Sequence, residues 1–211
     1  FRTPTVLIAT NSVWKYRVAS TAPSSTWKTA GYNDNSWSLG TAQLGYGDGD
    51  EATVIGWGPT SSDRYVTTYF RQVFTVVDPS VFSALLVRLL RDDGGAVYLN
   101  GTEIVRSNLG GGAPLWKMLA PAAALSADET TNYYTTNVSA ALLTPGANVI
   151  AVEIHQNTVN SSADLSFALE LRGAELDPHL SLTRDGLLTW PAPSAGYILE
   201  STLALASKTN W

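Results

Sequence analysis

The chain has no cysteine among its 211 residues, and charged residues make up only 15% of it. Disulfides and thiolate metal sites are therefore excluded. Because soluble domains usually carry roughly a quarter charged residues, this surface must be built largely from Ser, Thr, Asn and Gly. That composition suits an extracellular protein, so we predict a secreted or cell-surface location. A secreted protein without disulfides needs another brace, and bound calcium is one candidate.

Long apolar runs and basic runs are also absent. No apolar stretch approaches the ~18 residues that a membrane-spanning helix needs. The net charge is −5, and a protein that binds nucleic acid would show a basic face or stripe. We therefore expect neither a membrane span nor a nucleic-acid partner.

Turn-forming residues interrupt the sequence at short, regular intervals, and no long helical pattern is present. This spacing is typical of a sandwich or barrel. The predicted strands are 6–9, 14–18, 69–77, 84–91, 96–100, 103–106, 133–138, 148–156 and 165–172. The last is the clearest, because apolar residues alternate with polar or small ones along it. The sequence thus predicts an all-β antiparallel sandwich.

The segment 91–106 reads RDDGGAVYLNGTEIVR. Asn100-Gly101 separates two short apolar runs, and Asn-Gly in that setting is the strongest short-range hairpin signal because both residues accept a positive φ. We expect a hairpin that reverses at this step. Two adjacent carboxylates, Asp92 and Asp93, stand at its mouth.

In strand 148–156 the apolar residues share one face, while Glu153 and His155 share the other. We expect this second face to be a surface opposite the core, and His155 to contact Glu153, Asp164 or a loop carbonyl. A Ser-His-Asp catalytic set is not expected, because no Gly-x-Ser-x-Gly nucleophile elbow is present.

A domain boundary is predicted near residues 174–179. The sandwich would occupy 1–173, the linker 174–179, and a short β segment 180–211. Such a segment is too small for a core of its own, so we interpret it as part of a second module.

Six stretches carry a family resemblance, in family order over roughly residues 10–172. They are Trp37 with the preceding Tyr-Asn-Asp-Asn, LGYGDGDE at 44–51, YFRQVF at 69–74, RDDGGAVYLNG at 91–101, NVIAVEIHQ at 148–156 and SSADLSFALEL at 161–171. Together they resemble galactose-binding-like jelly-roll modules of large secreted bacterial proteins. The resemblance implies a jelly-roll sandwich that sits beside hydrolases or in surface proteins and often attaches to carbohydrate. The tail, LTWPAPSAGYILES, resembles the opening of an immunoglobulin- or fibronectin-like domain.

Two acidic groups are candidate calcium ligands. Asp48, Asp50 and Glu51 lie in a glycine-rich loop, and calcium prefers carboxylate and carbonyl oxygens. The alternative for this loop is a solvated turn whose Asp residues bond the local backbone. Asp92 and Asp93 resemble the Asp-Asp-Gly of other sugar-binding sandwiches, in which adjacent aspartates hold calcium.

Arginines offer an alternative for the second group. Asp92 and Asp93 would then be neutralised by Arg88, Arg91 or Arg71, since partly buried Asp–Arg pairs are common. Arg71 itself lies inside an apolar strand and should be paired, with Asp92, Asp93 or Glu153 as the expected partner.

Loop aromatics are the candidate sugar contacts. Trp57 stands between two glycines, so its indole can stack on the apolar face of a pyranose ring. Trp116 and Tyr65 are further candidates, and His155 and Gln156 are candidate hydrogen-bonding contacts. In the alternative interpretation these aromatics simply cap the ends of the sandwich.

These features favour a non-catalytic carbohydrate-binding module of a bacterial protein, with polysaccharide and neighbouring domains as partners. One alternative is a structural or adhesive spacer without a sugar site. A remote alternative is a glycan-active hydrolase, whose carboxylates could come only from Asp92, Asp93 and Glu153.

Overall fold

The computed structural model describes residues 3–60, 62–159, 164–176 and 181–189. The chain divides into two compact units, Phe1–Glu175 and Leu176–Trp211. The strands of the first unit are β1 (Thr5–Ile8), β2 (Val13–Val18), β3 (Ser38–Thr41), β4 (Leu44–Tyr46), β5 (Thr53–Val54), β6 (Thr67–Val76), β7 (Phe82–Arg91), β8 (Gly94–Leu99), β9 (Thr102–Ser107), β10 (Tyr134–Ser139), β11 (Gly146–His155) and β12 (Leu165–Glu175). Its helical parts are α1 (Ser126–Thr130) and the 3₁₀ turns Ser25–Lys28, Pro79–Val81 and Ala140–Leu142.

Two six-stranded sheets form the sandwich. The first has the order β10-β7-β12-β4-β5, with β1 also pairing with β12, and the second has the order β3-β2-β6-β11-β8-β9. Along β12, the residues nearest its start pair with β4, and those nearer its end pair with β1. The pairings are antiparallel, apart from the short parallel pair β4–β5. This architecture confirms the predicted all-β sandwich.

The core lies between the inner faces of the two sheets. Its centre is aromatic: the Phe167 ring stacks on Phe70 with centroids 4.0 Å apart, and Trp14 meets Phe167 edge-on at 4.9 Å. All three side chains are fully buried. Burying one such side chain contributes about 1.5–3 kcal/mol, so this contact alone holds the sheets together strongly.

The predicted hairpin is present. β8 and β9 pair antiparallel, and Leu99 faces Thr102 across the turn. Asn100 has φ 50° and Gly101 has φ 90°. Both values lie in the left-handed region that a two-residue hairpin of type I′ requires.

The nine strands predicted for the sandwich all occur, with ends that differ by a few residues. Three short strands were missed, namely β3, β4 and β5. They are two to four residues long, which is too short for alternation to show. Gly45 in β4 allows close pairing, because a Cβ there would lie 1.9 Å from the Leu165 carbonyl oxygen.

A second apolar cluster covers the outer face of the second sheet. Its buried members are Trp27, Trp37, Tyr69, Ala96, Tyr98, Leu109, Val149 and Ala151. The expectation that this face is an open surface is therefore wrong: Glu153 is 4% exposed and His155 is 0% exposed. Loop residues fold over the sheet here, and strand alternation carries no signal for such a cover. We call this group the outer cluster.

In the second unit, the described residues contain a two-stranded antiparallel pair, β13 (Ser181–Leu182) with β14 (Leu188–Thr189). Within the predicted β segment, the sequence also suggests a strand at 197–201, and these residues lie outside the described ranges. Within the described ranges, no helix is long and apolar enough to cross a membrane.

Candidate functional site at the acidic pole

One end of the sandwich gathers acidic side chains from distant parts of the sequence. β7 ends at Arg91 beside Phe167, near the start of β12, and β11 ends at His155 beside Gly94 of β8. The loop after β4 joins them, because Tyr46 at the end of β4 pairs with Leu165. We call this end the acidic pole and define it by Asp48, Asp92, Glu129 and Asp164.

The glycine-rich loop brings its three predicted ligands together. Ligand oxygens of Asp48, Asp50 and Glu51 lie within 4.8 Å of one another. The two Glu51 oxygens accept backbone hydrogen bonds from the nitrogens of Asp48 and Gly49, each at 3.0 Å. Burial and the charges of Asp48 and Glu51 raise the pKa of Asp50. The loop therefore combines the predicted carboxylate cluster with the backbone bonding of the alternative interpretation.

Asp48 also belongs to a second carboxylate group. Ligand oxygens of Asp48, Glu129 and Asp164 likewise lie within 4.8 Å of one another. Glu129 lies on α1 and Asp164 immediately precedes β12. The buried Ser166 hydroxyl donates to Asp48 Oδ2 at 3.0 Å, which fixes the aspartate relative to β12.

Gln43 ties the surrounding segments to one another. Its amide nitrogen Nε2 lies 3.1 Å from Asp50 Oδ1, 3.2 Å from the Glu129 carbonyl oxygen and 3.2 Å from Ser166 Oγ. One side chain thus contacts the glycine-rich loop, α1 and β12.

The Asp93 carboxylate holds two loop segments in place. Its Oδ1 accepts from the Ala124 nitrogen and its Oδ2 from the Asn157 nitrogen, both at 2.7 Å. Each oxygen thus accepts from a backbone donor, and among the described residues Asp93 belongs to neither group of carboxylates at metal-ligand spacing, so its role as a calcium ligand stays a prediction. Gly94 follows, and a Cβ there would lie 2.2 Å from the Asn108 carbonyl oxygen.

Asp92 has the opposite character. Its side chain is buried at 1% exposure, and Oδ2 has no hydrogen-bond partner among the described residues. Burial, reinforced by the adjacent Asp93, raises the pKa of Asp92 to about 10. Burial therefore disfavours the ionised form of this carboxyl group.

The arginines expected to neutralise Asp92 and Asp93 are engaged elsewhere. Arg88 donates to Glu170 Oε2 at 2.5 Å. Arg91 donates to the backbone oxygen of Asp93 and to Ser107 Oγ, not to either carboxylate. The neutralised-pair interpretation is thus wrong.

Arg71 is paired, as expected, but its partner is Asp34 and not one of the three predicted acids. Its Nε donates to Asp34 Oδ2 at 2.9 Å, and Nη1 donates to the carbonyl oxygens of Trp27 and Thr29. Lys15 approaches the other Asp34 oxygen at 2.6 Å. Burial alone would raise the pKa of Asp34, but hydrogen bonds from Lys15 and Arg71 outweigh it and hold that pKa below its usual value.

Gln156 and Tyr46 form the buried side of the pole. Gln156 is fully buried, and its Nε2 donates to the Asp164 carbonyl oxygen at 2.9 Å and lies 3.3 Å from the Tyr46 hydroxyl. Its Oε1 has no partner among the described residues. Burial raises the pKa of Tyr46 to about 12. Because Gln156 is inaccessible, the prediction that it contacts sugar is wrong for this conformation.

Trp57 lies beside this group and is 43% exposed. Its ring centroid is 5.7 Å from that of Tyr46, and the Arg64 guanidinium carbon lies 5.6 Å from the Tyr46 ring and 6.0 Å from the Trp57 ring. Half-buried Tyr65 closes the loop by donating from its nitrogen to the Trp57 carbonyl oxygen at 2.8 Å. The aromatic and acidic features therefore meet at one end of the sandwich.

Trp116 belongs to a different region. It is half-buried and packs against the outer cluster, and its carbonyl oxygen accepts from Thr67 Oγ1 at 2.6 Å. Lys117 places its Nζ 4.5 Å above the ring. The contacts of Trp116 are those of a packing residue.

His155 is also part of the outer face. Its Nδ1 lies 2.8 Å from the Met118 carbonyl oxygen, and its Nε2 lies 3.3 Å from Glu153 Oε2. Tyr98 donates its hydroxyl proton to Glu153 Oε1 at 2.5 Å. The expected contacts of His155 with Glu153 and a loop carbonyl are present. The predicted sugar contact is wrong, since a fully buried ring cannot meet a ligand.

Four residues of the site were not identified from the sequence as binding residues, namely Tyr46, Arg64, Glu129 and Asp164. Tyr46 lies inside the quoted LGYGDGDE stretch, and its position just before the acidic loop was a usable signal. No sequence pattern indicated a binding role for Glu129, because it lies on a five-residue helix in a polar segment.

Comparison with known proteins yields fold similarity alone. Neither a family model nor a curated protein sequence matches the chain. Among solved structures, a β-glucuronidase from Ruminococcus gnavus in complex with D-glucaro 1,5-lactone aligns with TM-score 0.50 and 10% identity, over 84% of this chain and 30% of that chain. The apo form from the same organism gives TM-score 0.50 and 9% identity, over 85% and 31%. A Bifidobacterium dentium β-glucuronidase complexed with coumarin-3-O-glucuronide gives TM-score 0.49 and 13% identity, over 84% and 30%.

This chain therefore spans less than a third of the length of these neighbours. At 9–10% identity, the Ruminococcus structures share its fold and no more. The same fold thus forms a part of these larger β-glucuronidase chains.

Proposed function

We propose that the first unit is a non-catalytic carbohydrate-binding module of a secreted or cell-surface bacterial protein. Polysaccharide binds at the acidic pole, with Trp57 as the stacking platform. The observation that carries the proposal is the position of this half-exposed indole, beside Tyr46 and next to hydrogen-bonding groups.

The chemistry of the pole fits a sugar. The C–H face of a pyranose is apolar and packs on an indole ring, while carboxylates accept hydrogen bonds from sugar hydroxyls. Calcium bound at the pole braces the glycine-rich loop in this proposal, and Asp48 is the ligand that this loop supplies. A few stacking contacts and hydrogen bonds barely exceed the free-energy cost of association, so we expect weak affinity at a single site.

A binding role is favoured over a catalytic role by the placement of the carboxylates. Glu153 lies under the outer cluster with Tyr98 and His155, and Asp93 is bonded to backbone nitrogens on both oxygens. The three acids that the hydrolase alternative would use, Asp92, Asp93 and Glu153, are only 1%, 3% and 4% exposed.

A glycan array with the whole chain tests the proposal, run with calcium and with a chelator. Trp57→Ala should abolish binding, Trp57→Phe should retain most of it, and Val77→Ala should leave it unchanged. Val77 is the matched control because it is 89% exposed and lies just after β6, at the opposite end of the sandwich. Equal binding by wild type and Trp57→Ala would contradict the proposal.

A structural or docking module is the second candidate. It is favoured by an apolar depression at the end opposite the acidic pole, lined by residues that include Leu7, Val76, Val77 and Phe82. Silence of the wild-type chain across the array would favour this function.

A further inference from the structure

We infer that the acidic pole binds a calcium ion between the carboxylates of Asp48, Glu129 and Asp164, with Asp92 below them. The inference deepens the proposed function by assigning the cation to this ligand set and not to Asp48, Asp50 and Glu51. It does not require that sugar binds.

The spacing of the carboxylates fits the ion. Their ligand oxygens all lie within 4.8 Å of one another. Calcium–oxygen distances are about 2.3–2.6 Å, so oxygens on opposite sides of one ion stand roughly 5 Å apart. Three carboxylates at this spacing can share one calcium without moving far.

Asp92 provides an independent observation. Its side chain is 1% exposed, and Oδ2 lacks a hydrogen-bond partner among the described residues. The Asp92 carboxyl group lies against the Asp164 side chain, and Glu129 is among its charged neighbours. Buried polar atoms are almost always satisfied in native proteins, so a buried oxygen without a partner, on a carboxyl group that lies against Asp164, indicates a missing partner.

Within the described residues, neither Asp92 nor Asp48 forms an ion pair with lysine or arginine, and Arg88 and Arg71 pair instead with Glu170 and Asp34. A buried carboxyl group without an ionic partner is unfavourable when ionised. A divalent cation among these oxygens would be that partner.

The surroundings favour a hard cation and hold its ligands in place. All the ligands are oxygens, and Gln156 adds a buried Oε1 without a partner close to Asp164. Oxygen-only sites suit calcium or magnesium and not zinc. Ser166 fixes the Asp48 carboxylate, and Gln43 bonds the backbone of Glu129, so one ligand and the helix that carries another are positioned before the ion arrives.

Glu51 explains why the glycine-rich loop is the weaker candidate. Both its oxygens are held by backbone nitrogens of its own loop. Asp50 faces Gln43 and is not part of the second carboxylate group. The two ligand sets share only Asp48, so variants at the other positions separate them.

Calcium titration calorimetry on the whole 211-residue chain, after chelator removal and without sugar, tests the inference. We expect a dissociation constant of roughly 10⁻⁴–10⁻³ M, as in extracellular modules. Asp164→Asn and Asp92→Asn should weaken binding by about tenfold or more, since substitutions in metal sites typically have that effect. Asp50→Asn is the matched control and should change it less than about twofold.

Melting curves in chelator show whether each variant folds. If Asp164→Asn does not fold, Glu129→Gln replaces it, because Glu129 is only half-buried on a surface helix. Terbium luminescence, sensitised by Tyr46 and Trp57, gives a second readout that should fall in the same variants.

Absence of calcium binding at about 10 mM, well above the range of extracellular modules, would overturn the inference. So would a loss in Asp50→Asn equal to that in Asp164→Asn, because the ion would then sit in the glycine-rich loop. Calcium binding by a chain that is silent on the glycan array would uphold this site and contradict the sugar proposal. Glycan binding without calcium binding would do the reverse.

Discussion

Two buried ionisable groups in this sandwich differ in whether their polar atoms have partners. Arg71 and Asp92 are each 1% exposed. The guanidinium of Arg71 reaches the Asp34 carboxylate and two carbonyl oxygens, whereas Oδ2 of Asp92 has no partner among the described residues. A satisfied buried charge supports the fold, while an unsatisfied one is where a ligand should be sought.

The largest expected effect follows from removing the partner of Arg71. Asp34→Ala leaves a buried guanidinium without its carboxylate, which should lower the free energy of unfolding by about 3–5 kcal/mol. Urea denaturation measures it. Lys15→Met is the control, because it leaves the Asp34–Arg71 pair intact and should have a much smaller effect. Similar losses in the two variants would show that the pair is not special.

Asp92 should behave in the opposite way when calcium is absent. Asp92→Asn keeps the shape and removes an acid that is costly to ionise, so in chelator the variant should unfold at higher urea. The gain should be on the order of 1–3 kcal/mol, the penalty of one unsatisfied buried group. A destabilised variant in chelator would mean that the fold itself needs this carboxyl group.

The pH dependence of stability should report on the pairing of Asp34 with Arg71. The pKa of Asp34 is lowered in the folded chain from its ordinary 3.8, so the ionised form contributes stability above that value. This contribution is lost as the pH falls below 3.8 and through the folded pKa. The difference in unfolding free energy between wild type and Asp34→Asn should therefore shrink in acid. A constant difference would contradict the assignment.

The smallest effect is expected at the sheet surface. Arg88 is one-third exposed and pairs with Glu170, which Arg172 also contacts at 2.7 Å. Arg88→Met should lower the unfolding free energy by at most about 1 kcal/mol, because exposed ion pairs contribute little. Chemical denaturation in low and high salt checks this, and a large loss in both would show that Arg88 acts through packing.

The sequence predicted the sandwich well because alternation and turn residues report local geometry. Strand β12 and the Asn100-Gly101 turn needed only their own neighbours. The partner of Arg71 could not be found in this way, since Asp34 lies 37 positions away in a loop. The outer cluster was missed for the same reason, because loop residues cover a face that alternation marks as exposed.

Two of the four acids that define the acidic pole could be found from local sequence. Asp48 and Asp92 stand in motifs rich in glycine and acid, so their composition attracts notice. Asp164 joins them because β12 pairs with both β4 and β7, and Glu129 because α1 packs against β7 and β12. Which acids can share one ion thus depends on contacts between elements that lie far apart in the sequence.

Gly94, which follows the Asp92-Asp93 pair, offers a way to recognise relatives of this module. Gly94 lies so close to the Asn108 carbonyl oxygen that no larger residue fits without a shift of the backbone, and Asn108 in turn donates to the Asp93 carbonyl oxygen. A homologous sequence with a bulkier residue at this position would have to carry its 108–124 segment elsewhere. A glycine there is therefore a compact marker for chains whose loop closes over the aspartate pair in the manner seen here.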